Sequence, residues 1–118
     1  MDIIQGENDY IELFLTEREE GEDVPIDLTG TTILVTIKKD IQIENDDKAV
    51  FKKDITQHED QETKKGKSVI TFSRQETSNI PVGKYWIDMW LIKGGEYTQI
   101  YPADDSFEVK PRVTRRNA

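Results

Sequence analysis

Apolar and polar residues alternate along most of this chain with a period of two. Such alternation is typical of β-strands that turn one face toward a core and the other toward water. The clearest pattern covers residues 85–92, where every second side chain from Tyr85 to Leu91 is predicted to face the core. The pattern predicts seven strands in all, at 11–15, 31–38, 49–55, 68–72, 85–92, 96–101 and 106–110.

The connections between these strands are predicted from their polar residues, prolines and glycines. Residues 17–23 are mostly acidic and are predicted to form a loop, and the proline and glycine of 24–30 favour a tight, extended turn. The pair Gly94–Gly95 predicts a hairpin, because glycine adopts the positive φ angles that two-residue turns require. Residues 56–67 include no apolar side chain, so we expect a mobile hairpin tip there.

Only one short segment is predicted to be helical. Ser73 followed by Glu76 forms a capping-box pattern, and Pro81 ends any helix within about two turns. No helix is therefore long enough to cover a sheet. We expect an all-β fold in which two sheets pack face to face as a β-sandwich, with a barrel as the alternative.

Length and composition narrow the function classes. A chain of 118 residues is expected to form one domain. Its 24 acidic and 16 basic residues give a formal charge of −8, so we expect no nucleic acid and no membrane surface as partner. The sequence contains no run of 18 apolar residues and no basic-then-apolar start, so we also expect no membrane span and no signal peptide.

The charge is unevenly distributed along the chain. Residues 1–109 carry a formal charge of −12, and residues 110–118 carry +4. We therefore predict a domain over 1–109 and a basic C-terminal tail over 110–118. The tail is either a solubilising terminus or an element that docks on an acidic neighbour, including another copy of the chain. Its basic residues are Lys110, Arg112, Arg115 and Arg116.

The residues needed for catalysis are scarce. There is no cysteine, and the only histidine, His58, lies in the polar segment 56–67, where we expect no partner within hydrogen-bond reach. The acidic clusters at 44–47 and 104–105 lack the spacing of a calcium-binding loop, and no glycine loop precedes a helix as phosphate binding requires. We therefore predict a protein that is not an enzyme and uses no metal and no cofactor.

Two tryptophans are the candidate binding residues. If Tyr85 to Leu91 face the core, Trp86 and Trp90 emerge on the opposite face with only Asp88 between them. A pair of exposed tryptophans marks either a protein interface or a platform on which sugars stack. Alternatively, the two faces are reversed, or a loop or the N-terminal segment covers the pair.

Five motifs in a fixed order resemble a known family. They are PIDLTG at 25–30, TILVTIK at 32–38, VITF at 69–72, IPVGKYWID at 80–88 and FEVKPRVTR at 107–115. Together they resemble the small immunoglobulin-like structural proteins of tailed bacteriophages, which include domains at the N-terminus of baseplate and tail-fibre proteins. The resemblance implies an immunoglobulin-like antiparallel β-sandwich of about seven strands. In such a fold, Leu28 would plug one end, and Tyr85 would bury its ring at a corner made by Gly83 while its hydroxyl bonds a backbone group.

The resemblance also implies a function. We expect a virion protein, made in the cytoplasm of the bacterial host, that acts as an adaptor, connector or decoration module in the tail, baseplate or capsid. Its partners would be other virion proteins or copies of itself, with Trp86 and Trp90 as anchors and Lys110, Arg112, Arg115 and Arg116 bridging to an acidic neighbour. The alternative is a carbohydrate-binding module that uses Trp86 and Trp90 as a stacking platform.

Overall fold

The computed structural model of the chain describes residues 1–113, which are mostly β, as the alternation predicts. The strands are β1 (Asp2–Ile4), β2 (Asp9–Phe14), β3 (Thr16–Glu19), β4 (Glu22–Pro25), β5 (Thr32–Lys38), β6 (Phe51–Ile55), β7 (Lys67–Phe72), β8 (Gly83–Lys93) and β9 (Glu96–Lys110). One helical turn (Asp46–Lys48) precedes β6, and one short helix, α1 (Arg74–Ser78), follows β7.

The strands form one large sheet and two small ones. The large sheet has the order β1-β9-β8-β5-β6, and all its neighbours are antiparallel except β1 and β9, which are parallel. β2 pairs with β7, and β3 pairs with β4, both antiparallel. Antiparallel sheets of this kind commonly bury one face and leave the other to solvent.

The core lies between the inner face of the large sheet and the β2–β7 pair. Every second side chain from Tyr85 to Leu91 is at most 4% exposed, which confirms the predicted inner face of β8. The inward residues of β5 are likewise buried, and Ile70 and Phe72 of β7 join the same cluster. The inward residues of β5 are Ile33, Val35 and Ile37, and the remaining buried members are Ile3, Leu28, Ile55, Ile80, Phe107 and Val109.

The described residues hold nine strands, and three predictions about strands are wrong. β1 is a three-residue strand in which only Ile3 is buried, too short for alternation to reveal. The acidic stretch 17–23 is not a loop, because it forms most of the β3–β4 hairpin. The predicted strands 96–101 and 106–110 are one continuous strand, β9, since register shifts against β8 accommodate the polar residues between them.

The predicted capping box and the Gly94–Gly95 turn are confirmed, whereas Val24 and Pro25 of the predicted turn 24–30 belong to strand β4. The Ser73 side chain accepts from the Glu76 backbone N–H, and the Glu76 carboxylate accepts from the Ser73 N–H, as a capping box requires. Gly94 and Gly95 both have positive φ angles at the β8–β9 hairpin. Leu28 is fully buried, and the Tyr85 hydroxyl donates to the Pro81 carbonyl while its ring is 3% exposed.

The connection between β6 and β7, residues 56–66, is hydrogen-bonded to the body of the protein, so the prediction that His58 has no partner within reach is wrong. His58 Nδ1 lies 2.8 Å from Ser68 Oγ, and His58 Nε2 lies 3.0 Å from the Thr31 carbonyl oxygen. Because a carbonyl can only accept, Nε2 carries the proton and Nδ1 of the neutral ring accepts from Ser68. Gln61 Oε1 accepts from the backbone N–H groups of Leu28 and Gly66, both at 2.9 Å.

Candidate functional site

Trp86 and Trp90 lie on the outer face of the large sheet, opposite the core-facing side chains of β8. The register places Trp90 beside Leu34, Asp88 beside Thr36 and Trp86 beside Lys38 of the neighbouring strand β5. Both indoles are half-buried. The faces of β8 are therefore not reversed, and the pair stands on the side away from the core.

The two tryptophans line a groove, called here the tryptophan groove, with a volume of about 190 Å³. Leu34 and Thr36 of β5 line the groove with them, as does Ala103 of β9. The charged residues Lys38, Asp46 and Asp88 also line it, so its surface is mixed, with more apolar than polar area, and the aromatic rings are its largest side chains. Such surfaces bind the apolar side chains of another protein more readily than they bind ions.

The connection between β5 and β6 contributes to the same groove. Ile41 and Asp46 line it, although the Ile41 side chain is still 54% exposed. Lys38 holds this connection in place, because its Nζ donates to the Ile43 carbonyl at 2.9 Å and to Asp46 Oδ1 at 2.7 Å. The expectation that a loop covers the tryptophans is thus met in part, since the loop lies beside them and leaves the groove open.

One hydrogen bond fixes an indole within the groove. Trp90 Nε1 donates to Asp88 Oδ2 at 3.2 Å, so the polar edge of that ring already has a partner on its own strand. The ring faces and aliphatic neighbours then remain as the binding surface. A partner gains apolar burial there without having to satisfy the Trp90 N–H.

The two described cations of the predicted tail pack against the N-terminal part of the chain. Lys110 is the last residue of β9, so this strand extends one residue beyond the predicted end of the domain at 109. Its Nζ donates to Asp2 Oδ2 at 3.1 Å. This hydrogen bond and the charge of Asp2 raise the pKa of Lys110. Arg112 Nη1 donates to the Gly6 carbonyl at 3.3 Å. Neither residue lines the tryptophan groove, and Arg115 and Arg116 lie outside the described residues.

The one histidine has a serine partner, but their environment is structural. Ser68 is fully buried, so no substrate reaches its hydroxyl. The other nitrogen of the His58 ring, Nε2, is hydrogen-bonded to the Thr31 carbonyl. A nucleophile and its base must instead face a site that a substrate enters.

The acidic clusters are engaged with neighbouring groups of the chain. Asp46 pairs with Lys38, Asp47 pairs with Lys52 at 2.9 Å, and Asp104 accepts from the Ser106 N–H at 2.7 Å. Within residues 1–113, no group of three or more histidine or carboxylate side chains is placed to hold a metal ion. In the same range, no helix is long and apolar enough to cross a bilayer.

The sequence analysis missed the residues that flank the tryptophans. Ile41 and Ile43 are the two apolar residues in the polar stretch 39–48, a pattern too short to predict a strand, and Lys38 is predicted only as the end of a strand. This pair of isoleucines is the one signal in the sequence that points to Ile41. Its place beside Trp86 depends on the path of a long connection, which alternation does not describe.

Comparison of the chain with protein families, with curated proteins and with solved structures found no match.

Proposed function

We propose that this protein is a non-enzymatic docking module of a tailed-bacteriophage virion, an adaptor, connector or decoration protein that binds other virion proteins through the tryptophan groove. The observation that carries the proposal is the position of Trp86 and Trp90. They are the only tryptophans in the chain, and both line one groove of mainly apolar surface on the face away from the core. Tryptophans at the centre of an interface typically dominate its binding energy.

The immunoglobulin-like part of the proposal is supported by the strand order. The sheet β1-β9-β8-β5-β6 corresponds to the order A′-G-F-C-C′ of an immunoglobulin-like sandwich, and the pair β2–β7 corresponds to B–E. Tyr85 supports it as well, because a tyrosine near the start of strand F that bonds a carbonyl a few residues upstream is a hallmark of that fold. In this scheme the β3–β4 hairpin is an insertion between strands B and C.

The size of the groove favours a protein partner over a small molecule. Its volume of about 190 Å³ is below the range of roughly 300–1,000 Å³ that is typical of small-ligand pockets. A groove of that size fits one or two apolar side chains presented by another surface. This is how an interface anchor is seated.

The alternative, a carbohydrate-binding module, would use the same two rings. Sugar stacking needs flat ring faces that are open to water, whereas both indoles are half-buried and Ile41 lies beside them. The groove therefore supports the docking proposal better. The alternative is kept as an outcome of the test.

The test replaces both tryptophans and follows incorporation into particles. We expect Trp86→Ala combined with Trp90→Ala to lower the number of copies per purified virion by about 30-fold, the equivalent of a hot-spot loss of about 2 kcal/mol. Tyr97→Ala is the matched control, because Tyr97 is an aromatic residue on the neighbouring strand, is 64% exposed and lies outside the groove. Urea unfolding of the three chains separates loss of docking from loss of folding.

Three results would overturn the proposal. One is absence of the wild-type chain from purified virions, and a second is equal incorporation of the double variant and the Tyr97→Ala control. The third is a saturable change in tryptophan emission on titration with soluble hexasaccharides, which would favour the carbohydrate alternative. Because the only two tryptophans line the groove, emission reports directly on its occupation.

A further inference from the structure

A second groove, called here the end groove, lies where the β8–β9 hairpin meets the end of β2. Its apolar lining includes Phe14, Leu15, Ile26, Leu91 and Ile100, and its volume is about 820 Å³. The facing sheets explain why it is open. The large sheet has five strands, whereas within the described residues the layer that faces it has only two, β2 and β7. Two strands do not cover five, so part of the inner face of the large sheet is left open beside β2. Phe14, which lies on the outward face of β2, forms the edge of the groove and is 57% exposed.

The end groove adjoins an acidic hairpin. Glu17, Glu96 and the cation Lys93 line its rim, and Glu17 belongs to the β3–β4 hairpin, residues 16–25, called here the arm. The arm has five acidic side chains against a single Arg18, a formal charge of −4. Every residue of β3 is exposed, Val24 and Pro25 of β4 are half-buried, and no residue of the arm belongs to the core cluster. At its tip Glu19 and Glu22 face each other as direct cross-strand partners.

We infer that the end groove binds the end of the basic C-terminal tail, from Val113 onward, of a second copy of this chain. Two features of this segment match the groove. Lys110 and Arg112 contact their own copy, whereas Arg115 and Arg116 follow Val113 and supply two positive charges opposite in sign to the −4 of the arm. The segment also carries an apolar side chain, Val113, which is 96% exposed. The valine would enter the apolar groove, and Arg115 and Arg116 would pair with the carboxylates of the arm.

A tail cannot reach the end groove of its own copy. β8 runs from Gly83, beside Val109, to Lys93, beside Glu96. These ten residue steps separate the tail from the rim by roughly 33 Å at about 3.3 Å per residue. Among the lining residues of β8 and β9, the one nearest the tail is Ile100, which lies beside Met89 and Trp90, at least six steps or roughly 20 Å from Gly83. Val113 is three residues past Lys110 and therefore reaches at most roughly 11 Å from it. The tail of one copy therefore has to bind the groove of the next.

The resulting contact joins copies head to tail. Such a heterologous contact generates a ring if the rotation between copies closes and an open filament if it does not. The inference rests on the proposed function in one respect, because a module of a virion would use this contact to associate with copies of itself. It involves a different surface from the tryptophan groove, so each can be tested without the other.

The test reverses charge on each side separately and then mixes the variants. One chain carries Arg115→Glu and Arg116→Glu in the tail, and the other carries Glu17→Lys and Glu19→Lys in the arm. By sedimentation velocity, we expect the wild type to oligomerise at about 50 mM NaCl and to dissociate at about 500 mM, since screening weakens such pairs. Each variant alone should be monomeric, and an equimolar mixture should oligomerise again because each tail then meets an arm of opposite charge.

A matched control carries Lys64→Glu and Lys65→Glu, the same change in charge at two exposed lysines of the connection 56–66. It should oligomerise like the wild type. A wild type that stays monomeric at low salt, variants that still oligomerise alone, or a mixture that stays monomeric would each overturn the inference. If the mixture stays monomeric while the tryptophan variant is still poorly incorporated into virions, only the binding of the tail to the end groove is rejected. If the mixture succeeds while the tryptophan variant is incorporated normally, the proposed docking through the tryptophan groove falls instead.

Discussion

The connection 56–66 and the arm are both strongly polar, yet they stand in opposite relations to the rest of the fold. In the connection, Gln61 and His58 reach backbone groups of the body, including the N–H of the buried Leu28 and the carbonyl of the buried Thr31. In the arm, the one ion pair joins Arg18 and Asp23 at 3.2 Å with both side chains more than 60% exposed. Exposed ion pairs of this kind stabilise little.

The difference shows what polar residues do in each place. Buried backbone groups must find partners, and a glutamine or histidine that supplies them becomes part of the folded body even in a segment without apolar residues. The side chains of the arm meet water, and so they are available to another molecule. Substitutions in the two segments should therefore have different effects.

The largest effect is expected at Gln61. Its amide makes four hydrogen bonds, two accepted from Leu28 and Gly66 and two donated to the carbonyls of Glu59 and Lys67. Gln61→Ala leaves the two N–H groups without a partner, so we expect a loss of about 2–3 kcal/mol in the free energy of unfolding. Urea denaturation followed by circular dichroism measures it. Gln57→Ala, the same change at an exposed position of the connection, is the control and should alter stability by less than about 0.5 kcal/mol.

A smaller effect is expected at His58. His58→Ala removes the partner of the fully buried Ser68 hydroxyl and of the Thr31 carbonyl, although the Thr31 hydroxyl keeps its bond to Leu28. We expect a loss of about 1–2 kcal/mol in the free energy of unfolding. Amide exchange should also become faster in 56–66. Unchanged stability and exchange would mean that the connection is not anchored by this ring.

The smallest effect, of opposite sign, is expected at the tip of the arm. Glu19 and Glu22 face each other, and like charges in that position destabilise a hairpin. Glu19→Gln should therefore raise the free energy of unfolding by about 0.3 kcal/mol. The gain should vanish at high salt, where the charges are screened. A clear loss of stability instead would show that the arm contributes to the fold.

Several elements were predictable from the sequence because their causes are local. Alternation identified the inner faces of β5 and β8, since a period of two follows directly from strand geometry. The capping box at Ser73 and the Gly94–Gly95 turn depend on residues close together in the chain, so their chemistry is visible in the sequence.

Other elements depend on contacts that are distant in the sequence. The partners of His58 and Gln61 include backbone groups about 30 residues away, and no pattern of side chains reveals a backbone partner. The arm lacks apolar alternation because neither of its faces is buried, so its acidic sequence was taken for a loop. The position of the tryptophans on the outer face was predictable from alternation. The position of Ile41 beside them was not, because it depends on the path of the connection 39–50, which alternation does not describe.

The most direct test of docking through the tryptophan groove is the solvent access of Trp86 and Trp90 before and after assembly. The chain can be labelled with 7-azatryptophan, which is excited at longer wavelength than ordinary tryptophan and is therefore distinguishable within a particle. If the groove is the docking surface, acrylamide should quench the free chain readily and the particle-bound chain weakly, with a blue shift in emission on assembly. Equal quenching and unshifted emission in the free and particle-bound chain would contradict the account.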